Sequence, residues 1–389
     1  MDIIFDARAL RVYPVGNAGF TGATELMLHR LASGLASRGH TVCVTTPDLN
    51  RAEQRGPTLW YWPPVAFPTH ADVVIAMHNL AHVAEYDAPV LVLASNGPDP
   101  YLGPNACDAR LIDRAVCFSQ THVDLLRDVS PEIPREKCRA IGLGVDPEAY
   151  RRGIAKTPGR MLWASDPTRG LWHMLDIFRL VREAEPEAEL RIAYDFASKF
   201  DAWKWDASSV AEALWRCKFG MEMPGVTAIG GLRHEQMAAE QMAAWLFAYP
   251  CDPLTPGTEL FCLAALESAA AGCPLILSDL PALREVFADA ATFLPIPGTY
   301  SPADECRFDV RDWADVIVEI TRDVSQWIDM SNRSKDLAER HTWGKVVDQW
   351  EAMLRDALEE SRSIGEPILE TAPSIAGSTS TTYIPESNT

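Results

Sequence analysis

The chain has 389 residues, enough for two or three domains with sizeable cores. Its 54 acidic residues against 35 basic leave a net charge of -19, which disfavours a dominant electrostatic grip on nucleic acid or anionic lipid. Nine scattered cysteines form no Cys-x-x-Cys pair, so there is no zinc or redox signature and a reducing compartment is expected.

The N-terminus, MDIIFDARAL, carries acids and is too short in apolar run for a signal peptide. No stretch approaches the ~20 apolar residues a spanning helix needs, so a cytoplasmic protein is expected. Asp2 to Phe5 predicts a first strand. Residues 11 to 21 form a loop containing Gly16 and Gly19, and Gly22 to Ser37 a helix with Leu26, Leu28, Leu31 and Leu35 apolar. Thr41 to Thr46 is a β-branched strand. A glycine loop ahead of a helix lets backbone N–H groups approach an anion; a bare turn role is the alternative.

Val73 to Met77, Val90 to Ala94 and Ala115 to Phe118 fit strands of a parallel sheet. Loops after strand C-termini line the crevice of such a sheet. In Asn96-Gly97-Pro98-Asp99-Pro100, Asn96 and Asp99 are therefore candidate cleft groups, or plain turn residues. His78 and His122 lie beside apolar runs and are acid/base candidates or packed side chains.

RRGIAKTPGR is charged and turn-rich, placing a domain boundary near residue 152. A second alternation follows: a strand at Met161 to Ala164, a loop SDPTRG, a helix from Leu171 to about Glu183 and a strand at Leu190 to Tyr194. Residues 197 to 223 predict a helical insert. A strand at Val226 to Ile229 and a helix at Glu235 to Ala243 come next.

Tyr249 to Asp279 reads as strand, loop, helix, strand, with the helix from Leu260 to Ala271 and Gly272 at its cap. A helix and strand follow at Ala282 to Phe287 and Ala291 to Leu294. Asp309 to Glu339 is helical by pattern. Trp343 to Ala357 is a helix whose stripe of Trp343, Val346, Val347, Trp350 and Leu354 must dock on something.

The expected architecture is α/β: two doubly wound, Rossmann-like domains facing across a cleft. The divisions are 1–152, 153–340, a C-terminal helix at 341–360 that packs back on the first domain, and a disordered tail at 361–389.

The Tyr249–Asp279 unit offers free backbone N–H groups at residues 260 to 263 and the positive end of a helix dipole, which suit a diphosphate. Glu259 and Glu267 lie eight positions apart and could accept sugar or ribose hydroxyls. Dipole stabilisation and solvated surface are their alternatives. Arg169, in a Gly-flanked loop after a strand, suits phosphate oxygens, or is a surface charge.

These residues resemble the retaining glycosyltransferases of the GT-B fold, the group that includes glycogen-synthase-like and mannosyltransferase enzymes. The resemblance covers most of residues 1 to 357. Its most specific part is Glu259-x7-Glu267 followed by Ser268-Ala-Ala-Ala-Gly272-Cys-Pro274. TGATELMLHRLASGLASRGHTVCVTTP, LGVDPEAY and SDPTRGL are similar to further motifs of the group. The chain departs from the pattern at Ala23, at Leu143 and at Asn96, which stands where many members carry a His.

The resemblance implies a metal-independent transfer from a nucleotide-diphosphate sugar, with no cofactor. Glu259 would contact the donor sugar and Glu267 the ribose. Backbone at Phe261, Cys262 and Leu263 would meet sugar and diphosphate, and Arg169 would stabilise the leaving nucleotide. The base would rest near Gly231 and Leu232, and the loop with Gly16, Gly19 and Gly22 would approach the donor phosphate and the acceptor. Asn96 would act on the acceptor side. The acceptor could be a glycan, lipid, protein or modified base. A GT-B scaffold that binds nucleotide sugar without turnover, and a phosphorylase or epimerase on the same fold, are the competing readings.

Overall fold

The computed structural model describes residues 1–8, 22–46, 51–62, 66–97, 109–195, 209–252, 259–297 and 308–364. The calls on Gly16, Gly19, Asp99 and residues 197–208 lie outside them, as does all of the expected tail beyond residue 364.

The first half forms one eight-stranded sheet. Its strands are β1 (Asp2–Asp6), β2 (Thr41–Thr45), β3 (Arg51–Arg55), β4 (Thr58–Trp62), β5 (Val73–Met77), β6 (Val90–Ala94), β7 (Arg114–Cys117) and β8 (Cys138–Ala140). The order is 3-4-2-1-5-6-7-8, parallel throughout except for β3 against β4. Strands β5 and β7 are buried along their whole length because helices cover both faces. Helix α1 (Ala23–Ser37) buries Leu26, Leu28, Leu31 and Leu35, the stripe read from the sequence. Helix α2 (Gln120–Val129) was not anticipated. It is capped by Ser119, whose Oγ accepts from His122 N, and buries Val123 and Leu126.

The second half builds two three-stranded sheets. One orders β11 (Val226–Ala228), β10 (Glu189–Ile192) and β9 (Arg160–Trp163). The other orders β12 (Phe247–Tyr249), β13 (Leu275–Ser278) and β14 (Ala291–Leu294). A parallel bridge between Met161 and Leu246 joins them edge to edge, giving the order 11-10-9-12-13-14. The order reverses between β9 and β12, where an open α/β sheet places its ligand crevice.

The helices of this half are α3 (Leu171–Ala184), α4 (Ser209–Gly220), α5 (His234–Ala243), α6 (Leu263–Ala270), α7 (Pro281–Phe287), α8 (Val310–Arg322) and α9 (Val324–Arg340). Helix α4 falls inside the expected insert. The long helical stretch expected over 309–339 is two helices. Asp323 leaves the helical conformation and accepts hydrogen bonds from Ser325 N at 2.9 Å and Gln326 N at 3.0 Å, so its side chain starts α9 as it ends α8.

Helix α10 (Trp343–Ile364) outruns the expected end at residue 360. Its anticipated stripe is buried, with Leu354 and Trp350 almost wholly so. It lies on α1, where Val347 packs on Gly34 and Arg38 pairs with Asp348, and Ser361 Oγ donates to Pro89 O at 3.1 Å. At its start, Val145 N donates to His341 O and Trp343 N to Val145 O. A Cβ on Gly144 would sit 2.6 Å from Trp343 N and 2.7 Å from Trp343 Cα. Backbone cannot move aside there as a side chain tip can. Gly144→Ala is therefore expected to destabilise the fold by about 1–3 kcal/mol in urea unfolding, the usual cost of overpacking; an unchanged midpoint would contradict the close approach.

Candidate active site

The loop after β9 and the loop after β12 meet at the sheet reversal. Asp166 shapes the first: it accepts from Thr168 N at 2.9 Å, Thr168 Oγ1 at 2.6 Å and Tyr194 OH at 2.9 Å. Gly170 then takes φ 108°, and a Cβ on it would fall 2.4 Å from Pro250 O and 2.9 Å from Asp252 N. Asp252 N donates to Arg169 O at 3.0 Å. The two loops thus touch through backbone, and Arg169 is aimed at Glu259.

Arg169 Nη1 donates to Glu259 Oε2 at 3.1 Å; the carboxylate side chain is 7 % exposed and the guanidinium 30 %. Tyr249 OH donates to the same oxygen at 2.8 Å and Cys251 Sγ at 3.6 Å. Glu259 Oε1 makes no hydrogen bond among the described residues. Burial opposes the Arg169 charge, but Glu259 together with Tyr249, Cys251 and Cys262 outweighs it and holds the guanidinium firmly ionised. Burial raises the Tyr249 hydroxyl and the Cys251 thiol well above their ordinary ranges, with Glu259 adding to both, so each stays a donor.

Helix α6 begins three residues later than expected. Cys262 adopts φ 70°, ψ 78°, a left-handed conformation rare outside glycine, and turns the chain abruptly into the helix at Leu263. The N–H groups without intrahelical acceptors are therefore those of the turn starting at Leu263, not of Leu260 and Phe261. The Phe261 side chain is buried against Gly142, Phe287 and His341.

Glu267 is also buried. Gln241 Nε2 donates to its Oε2 at 3.0 Å, and His234 Nδ1 stands 3.7 Å from Oε1. Burial pushes the carboxyl up to about 7, against the pull of Gln241 and of Arg30 on α1. Burial, then the Arg30 charge, lowers His234. The Tyr150 hydroxyl has no hydrogen-bond partner, and burial and the Glu267 charge raise it well above its ordinary range. Gly231 is exposed and Leu232 half-buried in the loop before α5, whose His234 and Gln241 approach Glu267.

In the first half, Gly22 precedes α1, and Leu26 N donates to its carbonyl at 3.0 Å. His78 has φ 63°, and its Nδ1 accepts from Asn96 N at 3.3 Å. Neither end of the buried Asn96 amide has a hydrogen-bond partner. These residues follow β5 and β6, beside the β1–β5 reversal of the first sheet. His122 is a packed side chain. Its Nδ1 accepts from Phe118 N at 3.0 Å, its Nε2 donates to Gly97 O at 2.8 Å, and burial lowers it to about 4.

The structure thus brings Arg169 and Glu259 into direct contact and sets Glu267 apart, buried beside Gln241. Sequence reading missed Tyr249, Cys251, Gln241, His234, Tyr150 and Arg30. Gln241 carried a signal: it is a polar residue on the face that buries Ala238 and Met242. Tyr249 carried another, as the last residue of a buried strand.

The raised carboxyl of Glu267 has a sign. Between the ordinary 4.5 and about 7 the folded chain keeps a proton that the unfolded chain releases, so this group's contribution falls as pH rises and its penalty is complete above 7. Glu267→Gln is expected to be more stable than the parent at pH 8, by at most about 3 kcal/mol. The difference should shrink toward zero by pH 4.5, whereas His122 acts equally in both proteins and cancels. A gain independent of pH in denaturation curves would rule the burial penalty out.

No family model matches the chain, and no curated protein matches it. Solved structures do. Sucrose-phosphate synthase from Thermosynechococcus elongatus superposes with a TM-score of 0.67 at 14% identity, over 92% of this chain and 99% of that one. HepE of Anabaena, in complex with UDP and glucose, gives 0.62 at 14% identity over 92% and 100%. WaaG, a glycosyltransferase involved in lipopolysaccharide biosynthesis, gives 0.60 at 15% identity over 90% and 99%. These likenesses establish the fold: two Rossmann-like domains in the GT-B arrangement.

Proposed function

We propose that this protein is a glycosyltransferase that moves a sugar from a nucleotide-diphosphate donor to an acceptor hydroxyl with retention at the anomeric carbon. The observation that carries the reading is the pair of buried carboxylates flanking a helix N-terminus at the sheet reversal. Each has one oxygen engaged by protein donors, Glu259 by Arg169 and Tyr249 and Glu267 by Gln241, and among the described residues one without a hydrogen bond. A carboxylate oxygen of that kind accepts ligand hydroxyls. Glycosyltransferase neighbours, and HepE bound to UDP-glucose, support the same reading.

In the reaction, the bond from the anomeric carbon to the diphosphate oxygen breaks and a bond to the acceptor oxygen forms. The acceptor proton leaves with the nucleoside diphosphate or solvent. Negative charge grows on the diphosphate, so stabilising it is the main catalytic task. Arg169 and the N–H groups at the start of α6 supply positive potential there without a metal. Glu259 Oε1 takes donor-sugar hydroxyls and Glu267 Oε1 the ribose. The base lies along Gly231 and Leu232. Gly22, ahead of α1, approaches the donor phosphate, and Asn96, after β6, acts on the acceptor side.

Arg169→Ala is expected to lower turnover about 100- to 1,000-fold, the usual loss for one charge-stabilising donor, with the circular dichroism spectrum kept; undiminished turnover would refute its role. Calorimetric titration of the parent with nucleoside diphosphates should show binding that tightens as pH rises through about 7, because ribose hydroxyls bind the ionised form of Glu267. The absence of binding to any nucleoside diphosphate would defeat the proposal.

A further inference from the structure

The Glu259–Leu263 turn belongs to the second half of the chain, yet the first half grips it. Ser119 Oγ donates to Leu260 O at 2.9 Å while accepting from His122 N at 3.1 Å, so one buried hydroxyl caps α2 and fixes a peptide of the turn. Next to it, the Phe261 ring fills the space that a Cβ on Gly142 would occupy, 2.6 Å from that point. Further along the chain, Glu285 on α7 reaches back. Its Oε1 accepts from Gln120 N at 2.6 Å, and its Oε2 accepts from Thr121 N at 2.9 Å and Thr121 Oγ1 at 3.0 Å. The carboxylate of one half thereby satisfies the open N-terminus of a helix in the other.

The Ser119 and Gly142 contacts act on the two residues immediately before Cys262, while Glu285 holds α2, and with it Ser119, in place. Cys262 holds a left-handed conformation that L-residues disfavour. Such strain persists where the surroundings over-determine it. The Leu260 carbonyl and the Phe261 ring are those surroundings, and both are anchored across the cleft. If the halves move apart, the turn loses the Ser119 hydrogen bond and the Gly142 contact together, and Phe261 is left with Phe287 and His341 of its own half.

We infer that Ser119 and Glu285 are positioning residues that couple closure of the two domains to the shape of the donor turn, so that the N–H groups at the start of α6 face a diphosphate only when α2 is docked. The inference rests on the donor-site reading but has its own test. Neither residue touches the donor: Ser119 acts on the turn through the Leu260 carbonyl, and Glu285 acts one step removed, by docking α7 on the N-terminus of α2.

The test compares Ser119→Ala, Ser119→Thr and Glu285→Gln with the parent. Glu285 is exposed, so its variant folds even if the buried serine proves sensitive. Hydrogen exchange of the ligand-free protein is measured by mass spectrometry, and UDP affinity by titration calorimetry. Ser119→Ala and Glu285→Gln are expected to speed exchange within residues 260–266 several-fold and to weaken UDP binding about 3- to 10-fold, the scale of one lost hydrogen bond. Exchange in β13 should stay unchanged, and Ser119→Thr should restore both readouts. A merely structural role would raise exchange throughout the domain. Unaltered exchange at 260–266 in both variants overturns the coupling. If the parent binds no UDP or other nucleoside diphosphate, the donor reading falls, while the exchange data still decide whether α2 sets the turn.

Discussion

Arg169 and Glu259 place opposite charges against each other where the second sheet reverses its strand order. Each comes from a loop after a different central strand, β9 or β12, so the pair is also a staple across the joint between the two three-stranded sheets. Charges this sheltered are tolerable only when paired and hydrogen-bonded, and removing one partner leaves the other stranded. The surroundings serve that need. Tyr249 and Cys251 add donors to the carboxylate, and Gly170 lets the arginine loop close on Pro250 and Asp252. The guanidinium keeps some exposure, and among the described residues one oxygen of the carboxylate has no hydrogen bond.

Glu267 illustrates the opposite solution. Among the described residues no Lys or Arg pairs with it; Gln241 gives it one hydrogen bond, His234 stands 3.7 Å away, and Arg30 acts on it from the first domain. Its ionised form is therefore costly in the ligand-free protein. A group held in that state gains from a ligand bearing hydroxyl donors, which is the chemistry a ribose offers. Strain and unsatisfied polarity gather around the same cleft in the left-handed Cys262 and His78, the unpaired Asn96 amide and the unpaired Tyr150 hydroxyl. Such features are kept where function compensates for them.

Much of the fold was legible because periodicity and turn chemistry are local. The leucine stripe of α1, the apolar runs of β5 and β6 and the tryptophan–valine stripe of α10 all sit where the pattern put them. The misses have physical causes. β3, with the sequence RAEQR, is a polar strand paired only with β4, so no buried alternation marks it. Helix α2 is short and its apolar face narrow, although Ser119 ahead of Val123 and Leu126 was a readable start. Asp323 broke one helical pattern into two by capping the next helix with its side chain, a choice that periodicity does not encode. The α6 start moved because Cys262 adopts a conformation that local preference disfavours and that contacts from the other domain enforce.

The sequence by itself determined the α/β class, the two successive strand–helix arrays and the glutamates eight residues apart, since spacing along the chain is enough for each. It also marked Arg169 as a loop cation after a strand. Only the tertiary structure decided what those residues face. It paired Arg169 with Glu259 instead of leaving it solvated, raised Glu267 by burying it beside Gln241, and made His122 a neutral strut. It also tied the 259–263 turn to α2 through Ser119, and α7 to α2 through Glu285, residues separated by more than a hundred positions from their partners. Burial and charge proximity depend on how distant segments pack, and no local pattern carries that information.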